Sequence, residues 1–335
     1  MRLAHHRKTL SLTTSKGEIM PELLQLIPEY HHRVWGGQRL KPNLEHPYGE
    51  AWLVFEGNLI ASGKYAGQTL DQVSRVLGAE LLGARAVAKT GTRFPLLIKI
   101  LDCEDWLSVQ VHPNDEQALE LEGEGKFGKT EAWHVLNAEP GAELIAGVKP
   151  GTTAAQLEKA IRDGSILEVS QKLVVETGAT VMMPAGTMHA LGPGLLIYEV
   201  QQTSETTYRV WDWNRPASAG RALHLEKSVA VTNPNSSGEI NHDVMHGANN
   251  FQTRVMCEYF KLEEINCSGM DLYSDTENSS FHAVTVTSGR AEVILGKTRV
   301  TLGKFETVIV PANAGEYKMI PLEAFSALRS SVPEL

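Results

Sequence analysis

Gly178-Ala-Thr-Val-Met-Met-Pro184-Ala-Gly186-Thr-Met-His189 reads as a strand, a bend and the start of a second strand. Gly178 admits the tight turn that opens the strand, and the run Thr180–Met183 is β-rich. Pro184 and Gly186 then turn the chain so that His189 is aimed back inward. Upstream, Leu107-Ser-Val-Gln-Val-His-Pro113 is another short strand. Side chains alternate along it, so Gln110 and His112 face one way while Val109 and Val111 face the other. Two polar groups on one face need partners if that face is interior. Between these stretches, Gly128-Lys-Thr-Glu131-Ala-Trp-His-Val-Leu136 puts Glu131, Trp133 and Val135 on one face. His134 falls on the opposite face, where it packs or hydrogen-bonds.

The spacing Gly-x5-Pro-x-Gly-x2-His follows the second cupin signature, although the Asn that usually closes it is absent and Gly192-Pro193 follows instead. Gln110, His112, Glu131 and His189 make a set of two imidazoles, a carboxylate and an amide oxygen. That set suits Zn²⁺ with a water in an open position, and Fe²⁺, Mn²⁺ or Co²⁺ fit it too. In a barrel without metal, the same four would hydrogen-bond to one another. The rest of the chain has the matching texture: Phe94–Leu101, Leu195–Val200, Ala283–Val286, Ala291–Leu295 and Val308–Val310 are short β-rich runs among Gly, Pro and Asn. The fold class expected is mainly β: a cupin (double-stranded β-helix, or jelly-roll) catalytic domain with short helices, plus a second, smaller, degenerate cupin domain. Helices are expected from Thr69 with Gln72, from Thr153 with Gln156 and ending at Gly164, and from an Asn114 cap. Residues 1–20 read as an N-terminal tail, 21–250 as the metal-binding catalytic domain and 251–335 as the C-terminal domain. The stretch 231–250, with Asn-Pro-Asn-Ser-Ser-Gly inside it, is the expected linker. In the last block Val308-Ile-Val-Pro-Ala312 echoes Val181-Met-Met-Pro-Ala185, yet no histidine follows it.

A net charge of −9 with no basic block argues against a nucleic-acid partner. An anionic substrate must then be captured by a few local Lys or Arg residues. The apolar runs are too short to cross a bilayer, and the N-terminus has no apolar core of a signal peptide. Three widely spaced cysteines, Cys103, Cys257 and Cys267, make no disulfide framework, so a reducing cytoplasm is expected.

Taken together these segments resemble the type I phosphomannose isomerases, short bacterial form. The resemblance rests on Arg33-Val-Trp-Gly-Gly37, Gly49-Glu-Ala-Trp52, Pro95–Asp102, Leu107–Asp115, Gly128–Trp133, Pro184–Gly192 and Tyr198–Gln202 running into Tyr208-Arg209. It implies a zinc-dependent isomerase interconverting mannose 6-phosphate and fructose 6-phosphate through an enediol, with one zinc per chain on Gln110, His112, Glu131 and His189. It also implies Arg209, Lys99 and Lys129 as active-site residues, a small sugar phosphate as the partner molecule, and a monomer or homodimer. One departure is Glu205, where the family pattern has Asp. Lys99 interrupts an apolar run, so its charge must face a wet cavity or a partner; burial beside a metal would lower its pKa toward that of a general base. Rival readings are another cupin enzyme, such as an iron-dependent dioxygenase, and a non-catalytic sugar-phosphate sensor.

Overall fold

The computed structural model describes residues 21–41, 45–216, 221–243, 245 and 247–334; the tail expected at 1–20 lies outside them. A seven-stranded antiparallel sheet runs, in spatial order, through Glu239–Asn241, Thr180–Met183, Glu131–Ala138, Leu195–Gln202, Leu96–Cys103, Glu29–Gly37 and Tyr48–Val54. A five-stranded sheet faces it, made of Tyr208–Trp211, Val109–Val111, His189–Leu191, Glu143–Val148 and Ser170–Val174. Leu101, Trp133, Val135, Leu144, Ala146, Val181 and Leu195 from both sheets form one buried cluster between them. Period-2 alternation therefore gives every strand of the pair an inner face, and the polar side chains on those inner faces must meet.

The remaining strands build a second sandwich. Its six-stranded sheet orders Leu24–Leu26, Thr307–Val310, His282–Ser288, Phe325–Ser331, Lys261–Cys267 and Asn250–Met256, opposite a four-stranded sheet of Leu272–Asp275, Glu316–Pro321, Ala291–Leu295 and Thr298–Leu302. The two units are topological copies. Thr307–Val310, His282–Ser288, Phe325–Ser331 and Lys261–Cys267 neighbour one another as Thr180–Met183, Glu131–Ala138, Leu195–Gln202 and Leu96–Cys103 do. The match extends to register: His282 stands opposite Val310 as Glu131 stands opposite Met183. In the second unit that position is a histidine whose Nδ1 lies 2.9 Å from the Tyr317 hydroxyl. The units pack back to back. Ile98, Ile100, Tyr198 and Val200 share a core with Phe260, Leu262, Phe281 and Leu328, joined by Leu70, Leu81, Leu82 and Phe94 from the helical stretch.

Two segments depart from the sequence reading. Leu24–Leu26, placed by sequence in the first unit, pairs with Thr307–Ile309 of the second. The linker expected at 231–250 contributes a strand: Glu239–Asn241 pairs with Thr180–Met182, and Ile240 packs on the first unit's core. A three-residue strand carries one apolar side chain, too little alternation to register as a pattern. The three helix starts do form capping boxes, Thr69 with Gln72, Asn114 with Gln117 and Thr153 with Gln156. Among the described residues no helix is long and apolar enough to cross a membrane.

Candidate active site

His189 opens its strand directly opposite Gln110, and Gln110 in turn stands opposite Arg209. Three adjacent strands of the smaller sheet thus deliver an imidazole, an amide and a guanidinium to one side. From the larger sheet comes Glu131, opposite Gln201 on one side and Met183 on the other. His112, Glu131 and His189 are each no more than 1% exposed, and their candidate ligand atoms all lie within 4.8 Å of one another. The two imidazole rings are 4.8 Å apart, centre to centre.

The hydrogen bonds around this cluster determine which atoms it presents. Nδ1 of His112 is 2.9 Å from the Thr206 carbonyl, and Nδ1 of His189 is 2.9 Å from the Thr187 carbonyl. A carbonyl only accepts, so each Nδ1 carries a proton, and in the neutral ring Nε2 then turns a lone pair inward. Burial, with the Lys129 ammonium beside it, pushes His112 well below the usual imidazole range and keeps it neutral. Burial alone would raise the carboxyl of Glu131, but the Lys129 ammonium leads the causes that outweigh it and hold the group well below the ordinary carboxylate range. Its Oε1 is buried without a hydrogen-bond donor, 3.2 Å from Nε2 of His189. Two lone pairs facing each other in a dry interior repel unless a cation lies between them. The Lys129 ammonium already meets part of that demand, 2.6 Å from Glu131 Oε2 and 3.0 Å from His112 Nε2. Gln110 completes the set, its amide Nε2 being 3.2 Å from His189 Nε2. A half-turn about its soft terminal torsion brings the amide oxygen there instead. The donor set therefore fits a divalent cation.

Above the cluster opens a cavity of about 530 Å³ lined by Lys99, Gln110, Lys129 and Arg209. All seven residues singled out from sequence thus meet at one place. Lys99 corrects one expectation, that of a lowered pKa. Burial does lower it, but Glu199, Glu50 and Glu131 more than compensate and its pKa is raised. Its ammonium is 3.2 Å from Glu199 and 3.0 Å from the Gln201 amide oxygen. It is a held cation rather than a base. His134 points to the other face, where Nδ1 lies 2.9 Å from the Thr180 hydroxyl.

Sequence reasoning missed Glu50, Glu199, Arg33, Arg221 and His224, which also line the cavity. Arg33 donates to both oxygens of Glu50. Burial would raise that carboxyl, but Lys99 and Arg33 outweigh it and hold the group at about 2. Glu199 takes hydrogen bonds from Lys99 and from Trp133 Nε1. A charge in the apolar strand Leu195–Gln202 is the same signal that found Lys99 and could have found Glu199. Arg221 carries no such signal, since its neighbours have no periodic pattern. Arg209 and Arg221 both donate to the Ser108 hydroxyl, at 3.3 and 3.2 Å, giving this end of the cavity two guanidinium groups.

Gly128 keeps the lower rim in place. A Cβ there would stand 2.5 Å from the Asn114 carbonyl carbon and 2.6 Å from the Asp115 nitrogen. Gly128→Ala is expected to cost about 1–3 kcal/mol of stability, as overpacking against backbone does, and to weaken metal binding. Urea unfolding and metal titration of the variant check this; native values for both would show that the segment yields.

The fold and site together define a cupin with an internal His/Glu/His cluster, its donor set fit for a cation, at the foot of an arginine- and lysine-lined cavity. Residues 23–131 match the family described as phosphomannose isomerase type I, catalytic domain. The chain is 34% identical over 305 residues to mannose-6-phosphate isomerase of Streptococcus mutans, covering 87% of this chain and 93% of that one. It is 34% identical over 316 residues to mannose-6-phosphate isomerase ManA of Bacillus subtilis, covering 89% and 96%. The crystal structure of the mannose 6-phosphate isomerase from Bacillus subtilis superposes with a TM-score of 0.81 at 29% identity, over 92% of this chain and 99% of that one. The chain belongs to the type I phosphomannose isomerase family, and it is an isomerase.

Proposed function

We propose that this enzyme interconverts mannose 6-phosphate and fructose 6-phosphate through an enediol, with one Zn²⁺ per chain held by Gln110, His112, Glu131 and His189. The observation that carries it is the donor-less Glu131 Oε1 facing His189 Nε2 at 3.2 Å, with His112 Nε2 beside the same carboxylate, beneath a cationic cavity. Two nitrogens and two oxygens with room above suit zinc. Bound there, it would supply positive charge against the oxygens of the developing enediolate.

The remaining work falls to the chain's own side chains. Arg209 and Arg221, both lining the cavity, bind the phosphate dianion in forked geometry and fix the far end of the sugar. Lys99, held charged by Glu199 and Glu50, donates toward a sugar oxygen and stabilises negative charge that builds there. The reaction is redox-neutral. A C2–H bond breaks, a proton returns to C1, the C1 carbonyl becomes a hydroxyl and the C2 hydroxyl becomes the carbonyl. We assign the proton transfer to Lys129, the other lysine in the cavity wall, which a cation held by His112 and Glu131 would displace from its contacts with them and favour in the neutral form. Trp52 and Trp35 also line the cavity and limit water there.

Chelation is expected to abolish turnover of mannose 6-phosphate in a coupled assay, and one equivalent of Zn²⁺ to restore it. Full activity of a metal-free preparation would remove the proposal. Restoration by Fe²⁺ with oxygen uptake would favour the oxygenase reading instead.

A further inference from the structure

The C-terminal unit has no part in the chemistry above, yet one of its side chains reaches the metal-bearing segment. Tyr259 sits in the turn between the strands Asn250–Met256 and Lys261–Cys267, a turn closed by the Cys257 N–H to Phe260 carbonyl hydrogen bond at 2.9 Å. Phe260 is fully buried in the shared core and anchors that turn. The Tyr259 hydroxyl donates to Asp115 Oδ2 at 3.0 Å. Asp115 lies three residues after His112. Its other oxygen, Oδ1, accepts from the Gly128 N–H at 2.7 Å and from the Gln202 amide at 3.0 Å. Gln202 in turn accepts from the Thr130 N–H at 2.8 Å, and the Lys129 N–H donates to the Pro113 carbonyl at 2.9 Å. One carboxylate thus ties the segment leading into Lys129 and Glu131 to the segment that carries His112.

We propose that Tyr259 is a positioning residue for the active site: by holding Asp115 it sets the distance between His112 and Glu131, and so couples the C-terminal unit to metal affinity and turnover. This rests on the metal reading given above. An aspartate with three donors from three separate segments has little freedom to rotate; removing one donor lets the carboxylate turn, and the two ligand-bearing segments gain play. The ring of Tyr259 also lies under the Lys89 ammonium, 4.8 Å from its centre, a contact that phenylalanine keeps.

The test uses the full chain as wild type, Tyr259→Phe, Asp115→Asn and the double variant, with Zn²⁺ affinity from chelator competition and kcat and KM from the coupled assay. Removing groups that orient metal ligands costs about 10–100-fold in affinity, so one step further out Tyr259→Phe is expected to weaken zinc roughly 3–10-fold. It is expected to lower kcat with KM little changed. Because Tyr259 acts through Asp115, the double variant should be no worse than Asp115→Asn alone. Zinc affinity and kcat of Tyr259→Phe within twofold of wild type, or losses that add in the double variant, overturn the inference. Failure of the wild type itself to bind zinc overturns the underlying metal reading, which is a separate result.

Discussion

His112→Ala is expected to abolish turnover and to weaken Zn²⁺ binding by at least 100-fold, with the fold retained. Loss of a residue that merely orients a ligand costs about 10–100-fold in metal affinity, and His112 offers a ligand atom directly. Its Nε2 is 3.5 Å from Glu131 Oε2, and no neighbouring side chain among the described residues holds a second imidazole nitrogen in that place. The fold should survive because Lys129, losing only its contact with His112 Nε2, still pairs with Glu131 as it already does at 2.6 Å. His134→Ala is the control. It is adjacent to Trp133 in the strand but on the opposite face, hydrogen-bonded to Thr180. Burial, with Arg254 nearby, holds its pKa at about 3. The substitution should cost about 1–3 kcal/mol of stability, the range for a buried hydrogen-bond partner, and keep the metal. Metal content by elemental analysis and urea unfolding separate the two variants. Zinc retained by His112→Ala and lost by His134→Ala would falsify the strand phase on which the site rests.

That phase is legible in the amino-acid sequence itself. Alternation puts Gln110 with His112 and separates Glu131 from His134, because a β-strand has only two faces and the spacing leaves no choice. The Pro184–Gly186 bend likewise places His189, and the three capping boxes locate helix starts. Features that depend on partners distant in sequence stay hidden. Leu24–Leu26 finds its place only when Thr307–Ile309 offers an edge. Glu239–Asn241 is strand only because Thr180–Met182 lies beside it. The raised pKa of Lys99 is hidden for the same reason. Its apolar run announces burial, but the three carboxylates that outweigh burial come from other strands. Arg221 reaches the cavity from a stretch with no periodicity, so nothing local marks it.

Those carboxylates make Lys99→Met the second variant with a large expected effect. The ammonium of Lys99 lies between Glu199, at 3.2 Å, and the Gln201 amide, and also bears on Glu50. Lys99 is 8% exposed and Glu199 is 4% exposed. Removing one member of a buried pair strands the other charge, which typically costs about 3–5 kcal/mol. Here part of that is offset, since Glu199 keeps the Trp133 N–H at 3.1 Å and Glu50 keeps Arg33 and the Trp52 N–H. The expected stability loss is therefore toward the lower end of that range, about 3 kcal/mol. Loss of a donor aimed at a developing oxyanion costs about 10²–10³-fold in kcat, and that is the expected activity loss if Lys99 donates to the sugar. Lys99→Arg discriminates the two roles. Its guanidinium keeps the charge and should recover most of the stability, but its fork cannot place one donor where the ammonium sat, so kcat should stay low. Urea unfolding and steady-state kinetics on zinc-loaded protein measure both. If Lys99→Met keeps kcat within a few-fold of wild type while losing stability, Lys99 serves the carboxylates alone and the charge that stabilises the enediolate must come from elsewhere in the cavity wall.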